Sequence, residues 1–423
     1  MRIAHVVHNF PPEFLGGTER FVAEIARAQL AAGHEVLVVA GSDQPHRGVD
    51  LEPERWHELE VLRLKRTPEE AYHLDPQRER SSSVLRALWG QRAPEIVHVH
   101  HWQTLPFDLA RGAAASGALV FVSLHDFFAV CPRFFRLPPD PSVVCPSDTQ
   151  RLSCRRCVAR EVGEPDESLD ARFARRDEAL REELACAVER HAPSWTHARA
   201  LARLLPEDFA SIEVVEPGLS EPFHRSALEA PRQRTVDEPL RLATWGNHVW
   251  VKGLLVLVEA LAQQAVPALV ELEVIGAFRD DALESAVRAR AEEAGLSIRF
   301  RGAYRGLEEL RAWTRDCDLA AFPSLAHESY GLVVDEALAL GLPVLVSDRG
   351  ALGERCGDAG VVLPAGDAEA WARALRRLSV DRAWLEELRE ALPGRVPTMQ
   401  DAARDLLARY ARALAGKRAG GAA

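Results

Sequence analysis

Short apolar runs alternate with longer amphipathic segments from the start of the chain. RIAHVVHNF at 2–10 is typical of a buried strand, and EVLVVAG at 35–41 is typical of a second one. Between them, RFVAEIARAQLAAGHEV repeats apolar residues at helical spacing and reaches Gly33, a common helix terminator. A strand, a helix and a strand within about 40 residues predict a βαβ unit with parallel strands.

The same alternation continues through the first half of the chain. EIVHVHH and ALVFVSLHD, which begin at residues 95 and 118, are mostly apolar, and IEVVEPG at 212–218 follows the same pattern. Strands that are buried on both faces have this composition, so these runs favour further parallel strands. A long charged helix is predicted over 165–190.

A change in composition separates the two halves. Residues 218–239 are rich in Pro, Ser and charge and are predicted to be an interdomain linker. A second series of predicted strands then alternates with predicted helices. The strands are LRLATWGN, LEVIG, IRFRG, LAAFPS and PVLVS, and the helices are KGLLVLVEALAQQ, 281–294, 307–315 and 330–340.

The pattern therefore predicts an α/β protein with two Rossmann-like parallel-sheet domains that face a central cleft. In such folds ligands bind at the carboxyl ends of the strands. The first domain is expected at 1–217, with a Cys-bearing insertion at 130–160, and the second at 240–395. Residues 396–423 are predicted to form a helix that packs back toward the first domain, followed by a tail.

Composition and charge narrow the class of protein. Of the 423 residues, 47% are hydrophobic and 27% charged, which is typical of a globular protein. The formal net charge of −11 argues against broad nucleic-acid binding. No run of about 18 apolar residues predicts a membrane span, and MRIAHVVHNF is too short and too polar for a signal peptide. A cytoplasmic protein is expected.

The segment HESYGLVVDEALALG at 327–341 carries two carboxylates around an apolar patch. Glu328 precedes the predicted helix and Glu336 lies within it, so the two are separated by roughly 12 Å along a helical axis. A nucleotide-diphosphate sugar has a comparable reach. One carboxylate is expected to accept hydrogen bonds from sugar hydroxyls and the other from ribose hydroxyls.

The start of the same helix is a candidate phosphate site. Ser329 is predicted to be its N-cap, because a serine side chain can accept a hydrogen bond from an N–H of the first turn. The N–H groups near the helix start are then expected to face a diphosphate, which a helix N-terminus favours. These groups belong to Tyr330, Gly331 and Leu332.

Three motifs resemble glycosyltransferase family 4, whose members have the GT-B fold. They are GGTERFVAEIARAQLAAGHEV, VKGLLVLVEAL and FPSLAHESYGLVVDEALALGLPVLVSDRGALGE, and the likeness is weakest at 42–93 and 130–185. The resemblance implies a retaining, nucleotide-sugar-dependent hexosyltransferase without a catalytic metal. It also implies that Lys252 contacts a donor phosphate and that His125 lies near the transferred sugar, which makes both catalytic candidates alongside Glu328.

One position departs from the family pattern. Many relatives carry an arginine five residues before the lysine, where this chain has Asn247, so one expected positive charge of the donor site is missing. Arg279 and Arg305 are candidates to replace it. In the first domain, Gly16 and Gly17 would let a loop approach the donor closely, because glycine has no Cβ.

Two patterns that suggest metal ligands have simpler interpretations. DCD at 316–318 lies at a helix-to-strand junction, where aspartate commonly caps or turns the chain, and is interpreted as structural. HVHH at 98–101 places His98 and His100 on one face of a strand. A catalytic metal needs three ligands held together, so a role in lining the cleft is preferred.

Four cysteines lie close together in the Pro-rich part of the first domain, at Cys131, Cys145, Cys154 and Cys157. The last two have the C-x-x-C spacing that structural zinc sites use. A structural zinc ion, free thiols and redox chemistry are the three interpretations. A disulfide is disfavoured in a reducing compartment.

The expected function is the transfer of a sugar from a nucleotide-diphosphate sugar to a polysaccharide, glycolipid or small-molecule acceptor. The acceptor is expected near Gly17, His100 and the cysteine-bearing loop. Polysaccharide biosynthesis and peripheral contact with the inner face of the membrane are compatible roles. The alternatives are another GT-B enzyme, such as a nucleotide-sugar epimerase or a phosphorylase, and a catalytically silent sugar-nucleotide-binding protein.

Overall fold

The computed structural model describes two compact units. The described residues are 1–44, 46–67, 78–136, 145, 154, 157–158, 166–205, 211–220, 235–263 and 269–420. The first unit consists of the described residues up to 220 together with those from 398 onward, and the second consists of those from 235 to 397. Most of the predicted linker, 221–234, lies outside the described residues.

The first unit is built around an eight-stranded sheet with the order β3-β4-β2-β1-β5-β6-β7-β8. Neighbouring strands are parallel, except that β3 and β4 form an antiparallel pair. Their bounds are β1 (Arg2–Val7), β2 (Glu35–Ala40), β3 (Asp50–Trp56), β4 (Leu59–Lys65), β5 (Ile96–Val99), β6 (Leu119–Ser123), β7 (Ala187–Ala192) and β8 (Glu213–Val214). Because β1 lies between β2 and β5, the chain crosses to the other side of β1, which makes this edge a topological switch point.

Helices cover this sheet and connect its parallel strands. They are α1 (Gly17–Ala31), α2 (Glu79–Arg92), α3 (Leu109–Ala115), α4 (Asp166–Ala185) and α5 (Trp195–Ala202). The predicted helix over 165–190 is too long, because β7 begins at Ala187. The β3–β4 pair lies in the region of weak family resemblance and was not predicted.

The second unit contains a six-stranded sheet with the order β11-β10-β9-β12-β13-β14. Its strands, all parallel in the described residues, are β9 (Leu240–Trp245), β10 (Val270–Ile275), β11 (Ser297–Gly302), β12 (Leu319–Phe322), β13 (Val344–Ser347) and β14 (Gly360–Leu363). Its helices are α6 (Leu254–Ala262), α7 (Asp281–Glu293), α8 (Leu307–Thr314), α9 (Leu332–Ala339), α10 (Leu352–Cys356), α11 (Ala368–Val380) and α12 (Arg382–Glu390). Here β9 lies between β10 and β12, so the switch point is at β9.

The C-terminal helix α13 (Met399–Gly420) belongs to the first unit. Its residues Leu406 and Tyr410 are buried in one cluster with Ile3 of β1 and Phe21 and Ile25 of α1. This apolar contact fixes the helix beside the first sheet, since burial of such side chains is the main source of packing energy. None of the helices in the described part of the chain has the length and apolarity needed to cross a membrane.

The predicted fold class is confirmed, because each unit is an open, predominantly parallel sheet covered by helices. Two helix starts differ from the prediction. Lys252 ends a short 3₁₀ turn, Trp250–Lys252, and α6 begins two residues later. The predicted helix at 330–340 is shorter at both ends, as α9 runs from Leu332 to Ala339.

Candidate active site

A lysine and a glutamate from two distant motifs form an ion pair in the second unit. Lys252 Nζ lies 2.6 Å from Glu328 Oε1. The Ser324 hydroxyl donates a hydrogen bond to the same oxygen over 2.7 Å. Lys252 follows β9 and Glu328 follows β12, the neighbouring strand in the sheet. The pair therefore lies at the carboxyl ends of strands beside the switch point, where this fold class binds ligands.

Two glycines allow the loops that carry this pair to meet. Gly253 has a φ of +73°, and a Cβ on it would lie 1.9 Å from the carbonyl oxygen of Pro323. Gly350 has a φ of +70°, and a Cβ on it would lie 2.0 Å from the carbonyl oxygen of Glu328. No side chain tolerates such contacts, so both positions require glycine. They hold the backbone around Lys252 and Glu328 in place.

The Glu328 carboxylate stays ionised beside the lysine. Burial alone would raise the pKa of Glu328, but the charge of Lys252 and the hydrogen bonds from Lys252 and Ser324 lower it below its usual value. The side chains of Lys252 and Glu328 are 44% and 18% exposed. Both remain within reach of a polar ligand. The pair offers a cation for phosphate and a carboxylate for hydroxyl groups.

Helix α9 begins differently from the prediction. The proposed N-cap, Ser329, is wrong: Gly331 is the N-cap, with a φ of +100°, and Leu332 is the first helical residue. Glycine adopts this left-handed backbone conformation without steric cost, which explains the difference. The first N–H groups of α9 belong to Leu332 and Val333. They lie at the partially positive end of the helix dipole.

Glu336 lies within α9, and its carboxylate contacts two aromatic side chains. It accepts a hydrogen bond from Trp245 Nε1 over 2.7 Å and another from Tyr304 OH over 3.2 Å. Glu336 is half-buried. Because Trp245 is the last residue of β9, these bonds hold the carboxylate at the same end of the sheet as the lysine–glutamate pair.

A buried ion pair that the sequence pattern does not reveal supports the start of α9. Asp335 is fully buried and accepts hydrogen bonds from Tyr330 OH over 2.6 Å and from Arg355 Nη2 over 2.7 Å. The Arg355 guanidinium also lies 4.5 Å from the centre of the Tyr330 ring. The Tyr330 side chain is therefore engaged inside the protein, and any role of this residue in the donor site falls to its backbone.

Asn247, the position that departs from the family pattern, contacts an arginine. Arg279 Nε donates a hydrogen bond to Asn247 Oδ1 over 3.2 Å. The loops after β9 and β10 run side by side through a bridge between His248 and Phe278, which brings the two residues together. The other candidate, Arg305, follows β11, and its backbone N–H donates to Glu309. Arg279 is thus the arginine that adjoins position 247.

In the first unit, the loop with Gly16 and Gly17 leads directly into α1. Gly16 is the N-cap, and its N–H donates to Glu19 Oε2 over 2.9 Å. A Cβ at Gly16 would lie 2.8 Å from that oxygen. Glu19 also pairs with His8 Nε2 at 3.0 Å. A larger residue at position 16 would crowd the side chains of Glu19 and Phe14, and Gly17 is the first helical residue.

Three histidines in the first unit form one hydrogen-bonded chain that begins inside β1 and ends at the carboxyl edge of the sheet. His5 Nε2 lies 2.7 Å from Gln29 Oε1, and His5 Nδ1 lies 3.0 Å from His100 Nε2. His100 Nδ1 in turn lies 3.0 Å from His125 Nε2. Gln29, His5 and His100 are buried, whereas His125 is half-buried. The chain therefore runs from the core to the edge of the sheet, and it ends at the predicted site residue.

Burial keeps these rings neutral. It lowers the pKa of His5 to about 4 and that of His125 to about 3. Burial, together with repulsion from neighbouring histidines, also lowers the pKa of His100 well below its usual value. A neutral imidazole donates one hydrogen bond and accepts one. With so low a pKa, His125 is a weak base, suited to hydrogen bonding and not to proton abstraction.

The HVHH motif is buried, and the prediction that it lines a cleft is wrong. His98 and His100 do lie on one face of β5, with ring centres 4.1 Å apart, but both are buried. His98 Nε2 lies 2.8 Å from Ser123 Oγ, and its Nδ1 contacts Tyr410 OH. The ligand atoms of His5, His98 and His100 lie within 4.8 Å of one another. Each ring nitrogen of these three residues is already engaged with another side chain.

The DCD motif at 316–318 is structural, as predicted. Asp318 is buried, and its Oδ2 accepts a hydrogen bond from the Arg241 N–H over 2.8 Å. Its Oδ1 accepts from Arg389 Nη2 over 3.1 Å. These bonds tie the start of β12 to β9 and α12.

The four clustered cysteines are all described, although much of the surrounding insertion lies outside the described residues. Besides burial, the nearby thiols of Cys145 and Cys154 contribute to the raised pKa of Cys131, and all three other thiols contribute to that of Cys157. Among the described residues, the group of side chains close enough to share a metal ion is His5, His98 and His100, and the four thiols are not part of such a group. None of the four is in a disulfide. Burial raises the pKa of Cys131 and raises that of Cys157 to about 11. Such weakly acidic thiols are poor nucleophiles, which disfavours redox chemistry at Cys131 and Cys157.

Two family models match the chain. One, described as Glycosyltransferase Family 4, matches residues 15–220, and the other, described as Glycosyl transferases group 1, matches residues 239–381. The chain is a family 4 glycosyltransferase with the GT-B fold. The predicted family is therefore confirmed.

Curated relatives match either about half of the chain at higher sequence identity or most of the chain at lower identity. The D-inositol 3-phosphate glycosyltransferase of Xylanimonas cellulosilytica is 34% identical over 206 residues, which cover 45% of this chain and 48% of that protein. The match thus spans about half the length of that relative. The glycogen synthase of Mycobacterium tuberculosis is 25% identical over 407 residues, 90% of this chain and 87% of that protein.

Solved structures share the fold along the whole chain. Sucrose-phosphate synthase from Thermosynechococcus elongatus superposes with a TM-score of 0.64 at 19% identity, covering 98% of this chain and all of that one. Anabaena HepE, whose structure contains UDP, superposes with a TM-score of 0.61 at 16% identity and covers 99% of this chain. At these identities the likeness is one of fold.

Proposed function

We propose that this chain transfers a sugar from a nucleotide-diphosphate sugar to a hydroxyl group of an acceptor, with retention of the anomeric configuration. The observation that carries the proposal is the pair of Lys252 and Glu328, 2.6 Å apart, at the switch point of the second sheet. A cation next to a carboxylate suits a ligand in which a diphosphate adjoins a polyhydroxylated ring. Membership of family 4 supports the same reaction.

The proposed chemistry depends on stabilising the leaving group. The bond between the anomeric carbon and the diphosphate oxygen breaks, and a bond from that carbon to the acceptor oxygen forms. The proton of the acceptor hydroxyl passes to the departing diphosphate. Lys252 and the first N–H groups of α9 would bind the negative charge that develops on this diphosphate, and such preorganised contacts are usually the largest contribution to catalysis.

The remaining residues would hold the donor. Glu328 would accept hydrogen bonds from sugar hydroxyls, and Glu336 would accept them from ribose hydroxyls while Trp245 and Tyr304 fix its orientation. Arg279 would supply the guanidinium that is missing at Asn247. This assignment is supported by the contact between Arg279 and Asn247 at 3.2 Å.

The acceptor is a further part of the proposal. The names of two groups of relatives, D-inositol 3-phosphate glycosyltransferase and phosphatidyl-myo-inositol mannosyltransferase, point to polyols that carry phosphate or lipid. Soluble inositol phosphates, lipid-linked polyols and oligosaccharides are therefore the first acceptors to examine. A lipid-linked acceptor would entail peripheral contact with a membrane.

The test is a measurement of nucleotide diphosphate release from a panel of nucleotide sugars, with and without each acceptor. Release that requires an acceptor, together with a product whose anomeric configuration matches the donor by NMR, is the expected result. Release of nucleotide without an acceptor would instead favour an epimerase. An inverted product would overturn the proposed retention. Donor binding without any turnover across the panel would favour a silent binding protein.

We also propose that the four clustered cysteines hold one structural zinc ion. Tetrahedral coordination by four thiolates is one of the ligand sets that structural zinc sites use. Two contacts bring the cysteine segments together: Arg136 Nη2 donates to Cys145 Sγ over 3.4 Å, and Arg133 Nη1 donates to the Cys157 carbonyl over 3.2 Å. Both arginines would also offset the net charge of about −2 that four thiolates give to a zinc site.

Elemental analysis of protein purified without an affinity metal tests the zinc proposal. About one zinc per chain is expected, and Cys154→Ser should lose it, because metal binding supplies folding free energy to such a segment. Cys186→Ser is the matched control, since Cys186 lies outside the cluster, and it should keep the metal. A preparation without zinc that has the same thermal stability and activity as the wild type would refute the site.

A further inference from the structure

The chain of histidines in the first unit has a defined direction. With the Gln29 amide oriented as in the structure, Oε1 faces His5 and can only accept a hydrogen bond, so His5 Nε2, 2.7 Å away, carries the proton. The opposite orientation of the amide would reverse the direction of the whole chain. A neutral His5 then has a lone pair on Nδ1 and accepts from His100 Nε2 over 3.0 Å. By the same reasoning His100 Nδ1 accepts from His125 Nε2 over 3.0 Å. The Nδ1 of His125 is left with its lone pair.

Gln29, at the buried end, lies on α1, which packs against the C-terminal helix α13. The Tyr410 hydroxyl contacts His98 Nδ1, and the amide nitrogen of Gln29 has no hydrogen-bond partner. Gln29 and Tyr410 are both fully buried. The group of Gln29 that faces His5 determines which nitrogen carries the proton in each following ring, because a neutral imidazole donates one hydrogen bond and accepts one.

A row of buried histidines contributes less to the stability of the fold than apolar side chains would, which suggests that it has a role. Polar groups in a core gain little stability compared with well-packed apolar side chains, and each one must be fully hydrogen-bonded to be tolerated. His5 and His100 satisfy this condition at both ring nitrogens. The chain also ends at a ring that is half-buried, at the edge of the sheet where ligands bind in this fold class.

We infer that Gln29, His5 and His100 are positioning residues that hold His125 as the Nε2–H tautomer, so that its Nδ1 accepts a hydrogen bond from a substrate hydroxyl. This inference rests on the proposed function for the identity of the ligand, but the tautomer is a property of the free protein. It assigns His125 the role of a hydrogen-bond acceptor that orients substrate, and not the role of a general base.

A metal ion is the competing use of the same residues. The ligand atoms of His5, His98 and His100 are close enough to share one. Coordination would require at least two of the existing hydrogen bonds to break, one of them a link of the chain to His125. A bound metal and an intact chain are therefore mutually exclusive, and one experiment distinguishes them.

The experiment is long-range ¹H–¹⁵N NMR of histidine-labelled protein at pH 7, with the His125 signals identified by their absence in His125→Gln. The wild type is expected to show a single neutral tautomer of His125 with Nδ1 unprotonated. Gln29→Leu and Gln29→Met both remove the acceptor with different shapes, and each should give a mixture of tautomers. Ser123→Ala is the matched control: Ser123 is buried and bonded to His98, outside the chain to His125, and its loss should leave the tautomer unchanged.

Activity provides an independent reading. In the Gln29 variants, kcat should fall several-fold while the Kd for nucleotide diphosphate stays within about twofold, because Gln29 belongs to the first unit and the proposed diphosphate contacts belong to the second. A mixed tautomer in the wild type, an Nδ1–H tautomer, no change in Gln29→Leu and Gln29→Met, or stoichiometric metal with metal-shifted signals would each overturn the inference. The absence of transferase activity would refute the proposed function and leave the tautomer result standing.

Discussion

The carboxyl edge of the first sheet carries histidines that are hydrogen-bonded to one another, whereas that of the second carries lysine, arginine and glutamate. Both sets lie at switch points of parallel sheets. His5 and His100 are at most 1% exposed, while Lys252 and Glu328 keep 44% and 18% exposure. The two regions therefore have similar folds but differ in how far their polar side chains are buried.

The difference shows what each arrangement is suited to do. In the first unit, desolvation suppresses charge, so the rings remain neutral and can transmit only the direction of a hydrogen bond. In the second unit, partial solvation lets opposite charges persist, and these can bind an anionic ligand. The predictions that follow test whether orientation and charge are in fact divided between the two units in this way.

Acidification should destabilise the first unit at a higher pH than the second, and this is the largest expected effect. The pKa of His5 is about 4 and that of His125 about 3 in the folded state, below the usual value of 6.5. The unfolded chain therefore binds more protons than the folded one as the pH falls from about 6.5, and the first unit loses stability. Each such histidine contributes a slope of about 1.4 kcal/mol per pH unit between its unfolded and folded pKa.

The second unit should respond less above pH 4.5, because burial lowers the pKa of His248 there, whereas in the first unit it lowers the pKa of His5, His98, His100, His101 and His125. In the second unit the carboxylate Glu328 has a lowered pKa, so the stability from its ion pair is present above the usual value of 4.5 and is lost below it. Hydrogen exchange measured by mass spectrometry between pH 7 and 4 can follow both sheets. Peptides from β1 and β5 are expected to lose protection first. Simultaneous loss in β9 and β12 would contradict the division.

Glu328→Gln should lower kcat by roughly 10²–10³-fold, the range for loss of one preorganised polar contact at a reaction centre. The amide keeps the size of the side chain and loses the charge that pairs with Lys252. Steady-state kinetics with the preferred donor and acceptor measure the effect. Glu292→Gln, at an exposed position on α7, is the control and should behave as the wild type. Full activity in Glu328→Gln would remove this residue from the site.

The sequence predicts features that depend on neighbouring residues better than contacts between residues that are far apart along the chain. The two parallel sheets follow from the period of apolar residues, which is a local property. The importance of Lys252 and Glu328 follows from motifs. Their direct pairing across 76 positions does not, because spacing along the chain contains no information on which loops touch. The same limit hides the bond between Asp335 and Arg355.

The errors at α9 and in the HVHH motif have local physical causes. A serine before a helix is a good N-cap, but Gly331 can adopt a left-handed conformation that serine disfavours, and so the helix begins after the glycine. Histidines near the end of a strand suggest a ligand site. Phe21 of α1 lies against the His100 ring and Tyr410 of α13 lies against the His98 ring, so helices from other parts of the chain help to bury both histidines. The sequence does contain one indication of the buried hydrogen-bonded histidines, because His5 interrupts the apolar run of β1.

Lys252→Ala should weaken the binding of nucleotide diphosphate by about 1.5–3 kcal/mol, the cost of losing a charge-assisted hydrogen bond. Isothermal titration calorimetry of the free nucleotide measures this directly. The loss should shrink at high salt, since the lysine is partly exposed and screened. Lys417→Ala, on α13, is the matched control and should bind normally. An unchanged Kd in Lys252→Ala would show that Lys252 does not bind the diphosphate, and would contradict the proposal that charged residues of the second unit bind it.

Arg279→Ala is expected to have the smallest effect, a loss of about 1 kcal/mol in nucleotide binding, because the guanidinium is exposed and such contacts are weakened by solvent. Its hydrogen bond to Asn247 places a charge near the position where many relatives carry arginine. If Arg279 replaces that charge, Asn247→Arg in the Arg279→Ala background should recover the affinity. The same Asn247→Arg change in the wild type should add little, since two guanidinium groups would then repel each other. Calorimetry on the four combinations forms a double-mutant cycle, in which additive effects would show that the two positions act independently.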